Sequence, residues 1–217
     1  MPAHRDRSCP KRDASNGDAS KSGAPDNRRD ALVLAAAGLF REKGFDGTTI
    51  RDIAGAVGMR SGSPFYHFAS KHELLLAVME ESLRVGLERT RAVVDAPCLA
   101  LVERFRRLVR AHFGILHEAG SDFIAVMLHD WRSLPPPHRR RIVELKDRYD
   151  AIWQETIDAL HREGRLRADA KLARLLILGA INVSATWYRS TPRAKNTFDL
   201  DALADQTAAL FLHETTP

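Results

Sequence analysis

With 217 residues and 24.2 kDa, the chain can hold one large domain or a small one joined to a larger one. Its 44% hydrophobic and 28% charged content exclude a disordered chain and an integral membrane protein, and no apolar run reaches the roughly 18 residues of a membrane span. Lys and Arg exceed Asp and Glu by 33 − 28 = 5, a mild bias toward polyanionic partners, and the two cysteines, Cys9 and Cys98, are far apart without metal or disulfide-framework spacing, so a reducing, cytoplasmic location is expected.

Residues 1–26 are polar and rich in Gly, Ser and charge, and read as a flexible tail. Its Arg5, Arg7, Lys11 and Arg12 are diluted by Asp6, Asp13 and Asp18, which favours a passive tail over a minor-groove arm. Leu32, Ala35, Ala36, Leu39 and Phe40 then fall on one stripe of a helix over about 27–43, which Gly44 stops. Thr49 and Asp52 have capping-box spacing and open a short helix over 50–57, closed by Gly58. Ser61 to Phe68 fits a two-turn third helix. Ser70 caps a long fourth one, Lys71 to about Val94, with Leu74, Leu75, Val78, Met79, Leu83 and Leu87 on its apolar side. Helices over 99–118, 121–133, 138–163, 170–189 and 200–212 complete the chain, with a break at Pro135-Pro136-Pro137 and a stop at Gly164. No period-2 alternation appears, so the expected fold is all-α with about nine helices.

Two short helices joined by a Gly-containing turn under a preceding helix have the outline of a helix-turn-helix. Ser61, Gly62 and Ser63 give the recognition helix a small, polar amino end that can approach base edges, while Phe65 and Phe68 seat it. The amino termini of the second, third and fourth helices suit phosphates, with Thr49, Tyr66, His67 and Lys71 beside them and Arg51 and Arg60 as base or phosphate contacts. Leu39-Phe40, Gly44-Phe45, Thr48-Thr49, Ile53-Ala54, Val57-Gly58, Gly62-Ser63, Tyr66-His67-Phe68, Ser70-Lys71 and Leu74-Leu75 stand in order and spacing that resemble the amino-terminal DNA-binding domain of the TetR family. The resemblance implies a dimeric, ligand-released repressor: a tail at 1–26, a helix-turn-helix domain at 27–70, and a ligand-binding and dimerisation domain at 71–217. The DNA-binding residues it implies are Thr48, Thr49, Arg51, Arg60, Ser61, Gly62, Ser63, Phe65, Tyr66, His67 and Lys71. Three positions depart from the family pattern: Arg60 replaces a serine cap, Pro64 a leucine and Phe65 a tyrosine.

In the second half, Phe105, Phe113, Phe123, Met127, Trp131, Tyr149, Trp153, Asn182 and Trp187 are the candidate ligand-binding residues, although most aromatic residues at such spacing form core. Asn182 interrupts the most apolar helix, where its amide needs a partner or a ligand. Trp131 to Pro135, Leu178 to Asn182 and Trp187 to Arg189 resemble regulators of fatty-acid and sterol-ring degradation, which implies a hydrophobic ligand with an acyl-CoA as its candidate form. Helices 170–189 and 200–212 carry apolar residues on more faces than one bundle can cover, and a homodimer is expected there. The nine histidines form no convincing metal cage, Arg139-Arg140-Arg141 reads as surface, and neither a catalytic constellation nor a cofactor motif is found. The rival reading is an all-α enzyme or small-molecule-binding protein that uses the helix-turn-helix only as scaffold.

Overall fold

A computed structural model of the chain describes residues 27–59, 66–118, 122–166, 168–188 and 199–213. Among the described residues there are eight α-helices, one short 3-10 helix and no strand: α1 (Asn27–Gly47), α2 (Ile50–Ala56), α3 (Lys71–Val94), α4 (Leu101–His117), α5 (Asp122–Asp130), the 3-10 turn Trp131–Ser133, α6 (Pro136–Arg162), α7 (Ala170–Trp187) and α8 (Leu200–Phe211). Most of the helix expected over Ser61 to Phe68 lies outside the described residues.

The ends follow from local chemistry. Thr49 and Asp52 close a reciprocal capping box at the start of α2. Gly58 takes φ 68°, and beyond it Met59 N–H reaches the Ala54 carbonyl at 2.8 Å, a left-handed stop that only glycine adopts without strain. Gly164, at φ 67°, ends α6 in the same way, with Arg165 N–H on the Leu160 carbonyl at 2.8 Å. In α1, Gly44 at φ 74° breaks the helix where the sequence predicts its end, and a last turn continues to Gly47.

Two expectations need correction. The triple proline does not hold the chain out of helix until 138: Pro135 is the cap of α6 and Pro136 begins it, because a first-turn residue has no use for the N–H that proline lacks. The helix expected over 121–133 is α5 plus a separate 3-10 turn. A third difference concerns Cys98, which is disulfide-bonded, whereas the sequence reading treats the two cysteines as unrelated. Separation along the chain does not limit proximity in space.

Two apolar cores result. The first unites Leu32, Ala36 and Phe40 of α1, Ile53 of α2 and Leu74, Leu75, Val78 and Met79 of α3 with Val126 of α5, Leu134 and Ile142 of α6. The second gathers Phe105, Leu108 and Phe113 of α4, Trp153, Ile157 and Leu160 of α6, Ala173, Ile177 and Ile181 of α7, and Ala204 and Ala208 of α8. Helix α3 runs through both halves, and α5 packs on α1 as well as on α3. Where α3 crosses α6, Gly86 lies so close to the Tyr149 ring that an added Cβ would stand 3.2 Å from Cε2.

Candidate functional site

The DNA-side residues surround the turn between α1 and α2. Thr48 is 1% exposed, and its hydroxyl donates to the carbonyls of Gly44 at 2.8 Å and Leu39 at 3.2 Å. Its side chain is thus a clamp on the end of α1 and does not face solvent. The Thr49 hydroxyl accepts from Asp52 N–H at 3.1 Å and donates to Asp52 Oδ2 at 2.7 Å, and these Thr49 bonds hold the Asp52 carboxyl below its ordinary pKa. Lys71 Nζ donates to the carbonyls of Phe45 at 2.8 Å and Thr48 at 3.0 Å and sits 4.0 Å above the centre of the Phe45 ring. Two of its three donors therefore hold the turn together. Arg51 is exposed on α2, Tyr66 is 91% exposed, and the Tyr66 ring meets half-buried His67 edge-on at 5.4 Å. Arg60, Ser61, Gly62, Ser63 and Phe65 lie outside the described residues.

The turn is also tied to the second half of the chain, which sequence reading missed. Asp130, at the carboxy end of α5, accepts from Phe45 N–H at 3.4 Å, and burial pushes its pKa up. At the other end of α5, Asp122 pairs with Arg41 of α1. One side of α5 thereby faces α1, with Val126 in the first core, while Ile124 and Met127 face a cavity.

That cavity, about 220 Å³, lies between α3, α4, α5, α6 and α7. Leu83, Ile115, Ile124, Met127 and Leu178 supply its apolar wall. Met127, Tyr149 and Asn182 are the predicted ligand residues that line it. The other predicted residues sit elsewhere. Phe105 and Trp153 are fully buried in the second core, and Phe113 belongs to that core and stacks on His117. Phe123 packs against the first core, Trp131 lies on the 3-10 turn with the Arg139 guanidinium 6.0 Å from its ring, and Trp187 is half exposed beside Tyr188. Aromatic character marked core more often than cavity, because the large rings fill the space between helices.

The polar wall centres on His112. Its Nε2 lies 2.9 Å from Asn182 Oδ1 and its Nδ1 2.5 Å from the Tyr149 hydroxyl. With the carboxamide oxygen facing Nε2, the imidazole donates to Asn182 and accepts from Tyr149, a chain that joins α6, α4 and α7. Burial lowers the His112 pKa to about 4, so the ring is neutral near pH 7, and burial raises that of Tyr149. At the cavity edge, Asp150 accepts from Arg174 at 2.6 Å and from Lys146 at 2.5 Å, and Arg174 also donates to Gln154 at 2.8 Å. The sequence signal for His112 was its place on the apolar stripe of α4, four residues after Leu108, where a polar residue needs a partner.

Among the described residues no group of three or more His, Cys, Asp or Glu could hold a metal ion, and no helix is long and apolar enough to cross a membrane. The Arg139 side chain donates to the Leu134 carbonyl at 2.6 Å and to that of Arg132, bracing the 3-10 turn.

Comparison with known proteins places these features in a family. The model for bacterial regulatory proteins of the tetR family matches residues 32–78, and that for the tetracyclin repressor-like C-terminal domain matches residues 99–214. The HTH-type transcriptional repressor KstR2 of Mycobacterium tuberculosis is 30% identical over 170 residues, which span 77% of this chain and 84% of that protein. The structure of the M. tuberculosis ketosteroid transcriptional regulator KstR2 has a TM-score of 0.74 at 28% identity, covering 89% of this chain and 99% of that one. The superantigen PfiT has a TM-score of 0.74 at 35% identity over 88% of this chain and 98% of its own. AibR, crystallised with isovaleryl coenzyme A and operator DNA, shares the fold at a TM-score of 0.76 and 24% identity, over 84% and 97% of the two chains. With its second half and its helix-turn-helix segment both matched, the chain belongs to the TetR family of bacterial transcriptional regulators.

Proposed function

We propose that this regulator is a homodimeric repressor that leaves its operator when a small hydrophobic ligand fills the cavity beside His112. It acts by binding and makes or breaks no bond in the ligand. The observation that carries the reading is α5, whose Ile124 and Met127 line the cavity while its Asp122 and Asp130 hold Arg41 and the Phe45 amide of the DNA-side turn. A ligand shifts the equilibrium only if it binds the DNA-incompetent arrangement more tightly, and a coupling of about 1–3 kcal/mol changes operator affinity roughly 5–150-fold. The division is 27–70 for DNA binding and 71–217 for ligand binding and dimerisation, with α5 serving both.

On the DNA side, Thr49, Arg51, Tyr66 and His67, with Arg60, Ser61, Gly62, Ser63 and Phe65, are the proposed contacts. Thr48 and Lys71 act by holding the turn that presents them. Support for the dimer comes from α7, where Leu172, Leu175, Leu176, Val183 and Trp187 form an exposed apolar stripe, joined by Leu210 of α8 at 73% exposure. Leu175 and Gly179 belong both to this face and to the cavity wall, so ligand and partner subunit act on the same helix. An acyl-CoA is the proposed form of the ligand, by analogy with the isovaleryl coenzyme A bound to AibR. A cytoplasmic location follows from the operator as partner.

The test is a gel shift of the full chain against the DNA upstream of its own coding sequence, repeated with acyl-CoA thioesters and with the matching free acids. Specific retardation that CoA thioesters reverse is the expected result. No retardation of that or any promoter fragment would remove the repressor reading, and equal release by free acids would remove the thioester.

A further inference from the structure

The cavity has an unusual distribution of hydrogen-bonding capacity for a site that is otherwise aliphatic. Ser82 of α3 lines it, is 1% exposed, and has as its partner the Met127 sulfur at 3.8 Å. A thioether is a weak acceptor, so the hydroxyl proton is available to a better one. On the opposing helix α7, the Asn182 oxygen is taken by His112 Nε2–H, which leaves the amide N–H groups of Asn182 without a protein partner among the described residues, in the cavity lining. His112 cannot turn away to relieve this, because its other nitrogen is occupied by the Tyr149 hydroxyl. Two donors therefore face one small apolar space. At its edge stand two cations, Arg174 and Lys146, against the single carboxylate of Asp150.

Resting on the ligand-regulated reading above, we infer that the ligand is an oxo-acid or its thioester: a compact aliphatic or alicyclic body that carries a carbonyl oxygen, received by the Ser82 hydroxyl and the Asn182 amide, with an anionic end toward Arg174 and Lys146. A plain saturated acyl chain leaves both buried donors without an acceptor once it has displaced water from the cavity, and a site with unpaired buried donors discriminates strongly against the analogue that lacks the oxygen. The space of about 220 Å³ is below the usual size of a small-molecule pocket, so the oxygenated body fills it and the rest of the ligand extends past the cations. Ser82 and Asn182 are the specificity-determining residues, and His112 and Tyr149 position Asn182.

The experiment uses cyclohexylpropanoate and its ring-ketone analogue, each as free acid and as CoA thioester, titrated calorimetrically into the full-length protein and into S82A and N182L. Wild type is expected to bind the ketone at least about tenfold more tightly than the parent compound in whichever acid or thioester form binds. S82A and N182L are each expected to shrink that ratio severalfold while leaving the affinity for the parent compound within about threefold. Equal binding of ketone and parent by wild type overturns the inference without reference to any variant, and leaves the ligand-regulated reading standing if either compound still releases DNA. An unchanged ratio in a folded S82A removes Ser82 from the site. Failure of all four compounds to bind a protein that still retards its operator overturns the oxo-acid assignment.

Discussion

The two polar regions of this regulator use the same kinds of side chain to opposite ends. In the turn between α1 and α2, hydroxyl, carboxylate and ammonium groups are spent on the backbone: Thr48 on Gly44 and Leu39, Thr49 and Asp52 on each other, Lys71 on Phe45 and Thr48. In the cavity, the Ser82 hydroxyl has only a sulfur and the Asn182 amide nitrogen has no protein partner among the described residues. The turn is shaped in advance so that its neighbours can meet DNA, whereas the cavity waits for a ligand to complete it. Saturated hydrogen bonding fixes a shape; unsaturated hydrogen bonding selects a guest.

The largest effect expected from breaking this picture comes from neither region alone but from the surface that pairs two copies. L175E combined with L210E introduces two charges on the exposed apolar face and should convert the dimer to monomer in sedimentation, with operator affinity reduced about a hundredfold or more by loss of two-site binding. A double variant that remains dimeric sinks the α7–α8 interface.

A second contrast is in pH. His112 has a folded pKa of about 4 against an unpaired value of 6.5. The unfolded chain therefore binds the extra proton first, so stability is complete above about pH 6.5 and declines as pH falls toward 4, by up to roughly 3 kcal/mol from this one group. His117, also lowered by burial, acts in the same direction. Denaturant melts of wild type and H112Q between pH 7.5 and 5 should show a shallower decline in the variant; parallel curves would place the acid sensitivity elsewhere.

For the turn, K71A removes two charge-assisted bonds to backbone carbonyls and should cost about 2 kcal/mol of stability. The slope of log affinity against log salt should stay unchanged in K71A but become shallower by about 0.9 in R51A, since only the exposed arginine neutralises a phosphate. The opposite pattern would return Lys71 to the DNA surface. Smallest of all, D130A removes one long hydrogen bond and should lower stability by no more than about 1 kcal/mol, while amide exchange at Phe45 accelerates. Unaltered exchange there would show that Asp130 does not hold the turn.

Much of the fold was legible because helix ends are local. Gly58 and Gly164 adopt the left-handed backbone that their positions predict, and Thr49 and Ser70 cap the helices that follow them. The start of α6 was misread because proline excludes helix only beyond the first turn. The site was less legible, for a different reason: sequence names a side chain but not its direction. Thr48 and Lys71 have the chemistry of phosphate ligands and point inward to carbonyls, while Phe105 and Trp153 have the size of pocket walls and are core. Asn182 was singled out for needing a partner, yet only packing reveals that the partner is a histidine 70 positions earlier.

The glycine at the crossing of α3 and α6 has a mechanical consequence. Because Gly86 places backbone directly against the Tyr149 ring, no deformable side chain cushions the contact between the hydrogen-bond chain of the cavity and the helix that continues into the DNA-binding half. A close-packed joint of this kind has low compressibility, so a shift of Tyr149 cannot be absorbed by a rotamer change at position 86 and has to be carried by α3 as a body. G86A would open a gap or tilt the helix, and in either case loosen the joint. The smallest residue at this crossing therefore makes it the stiffest link between the two halves.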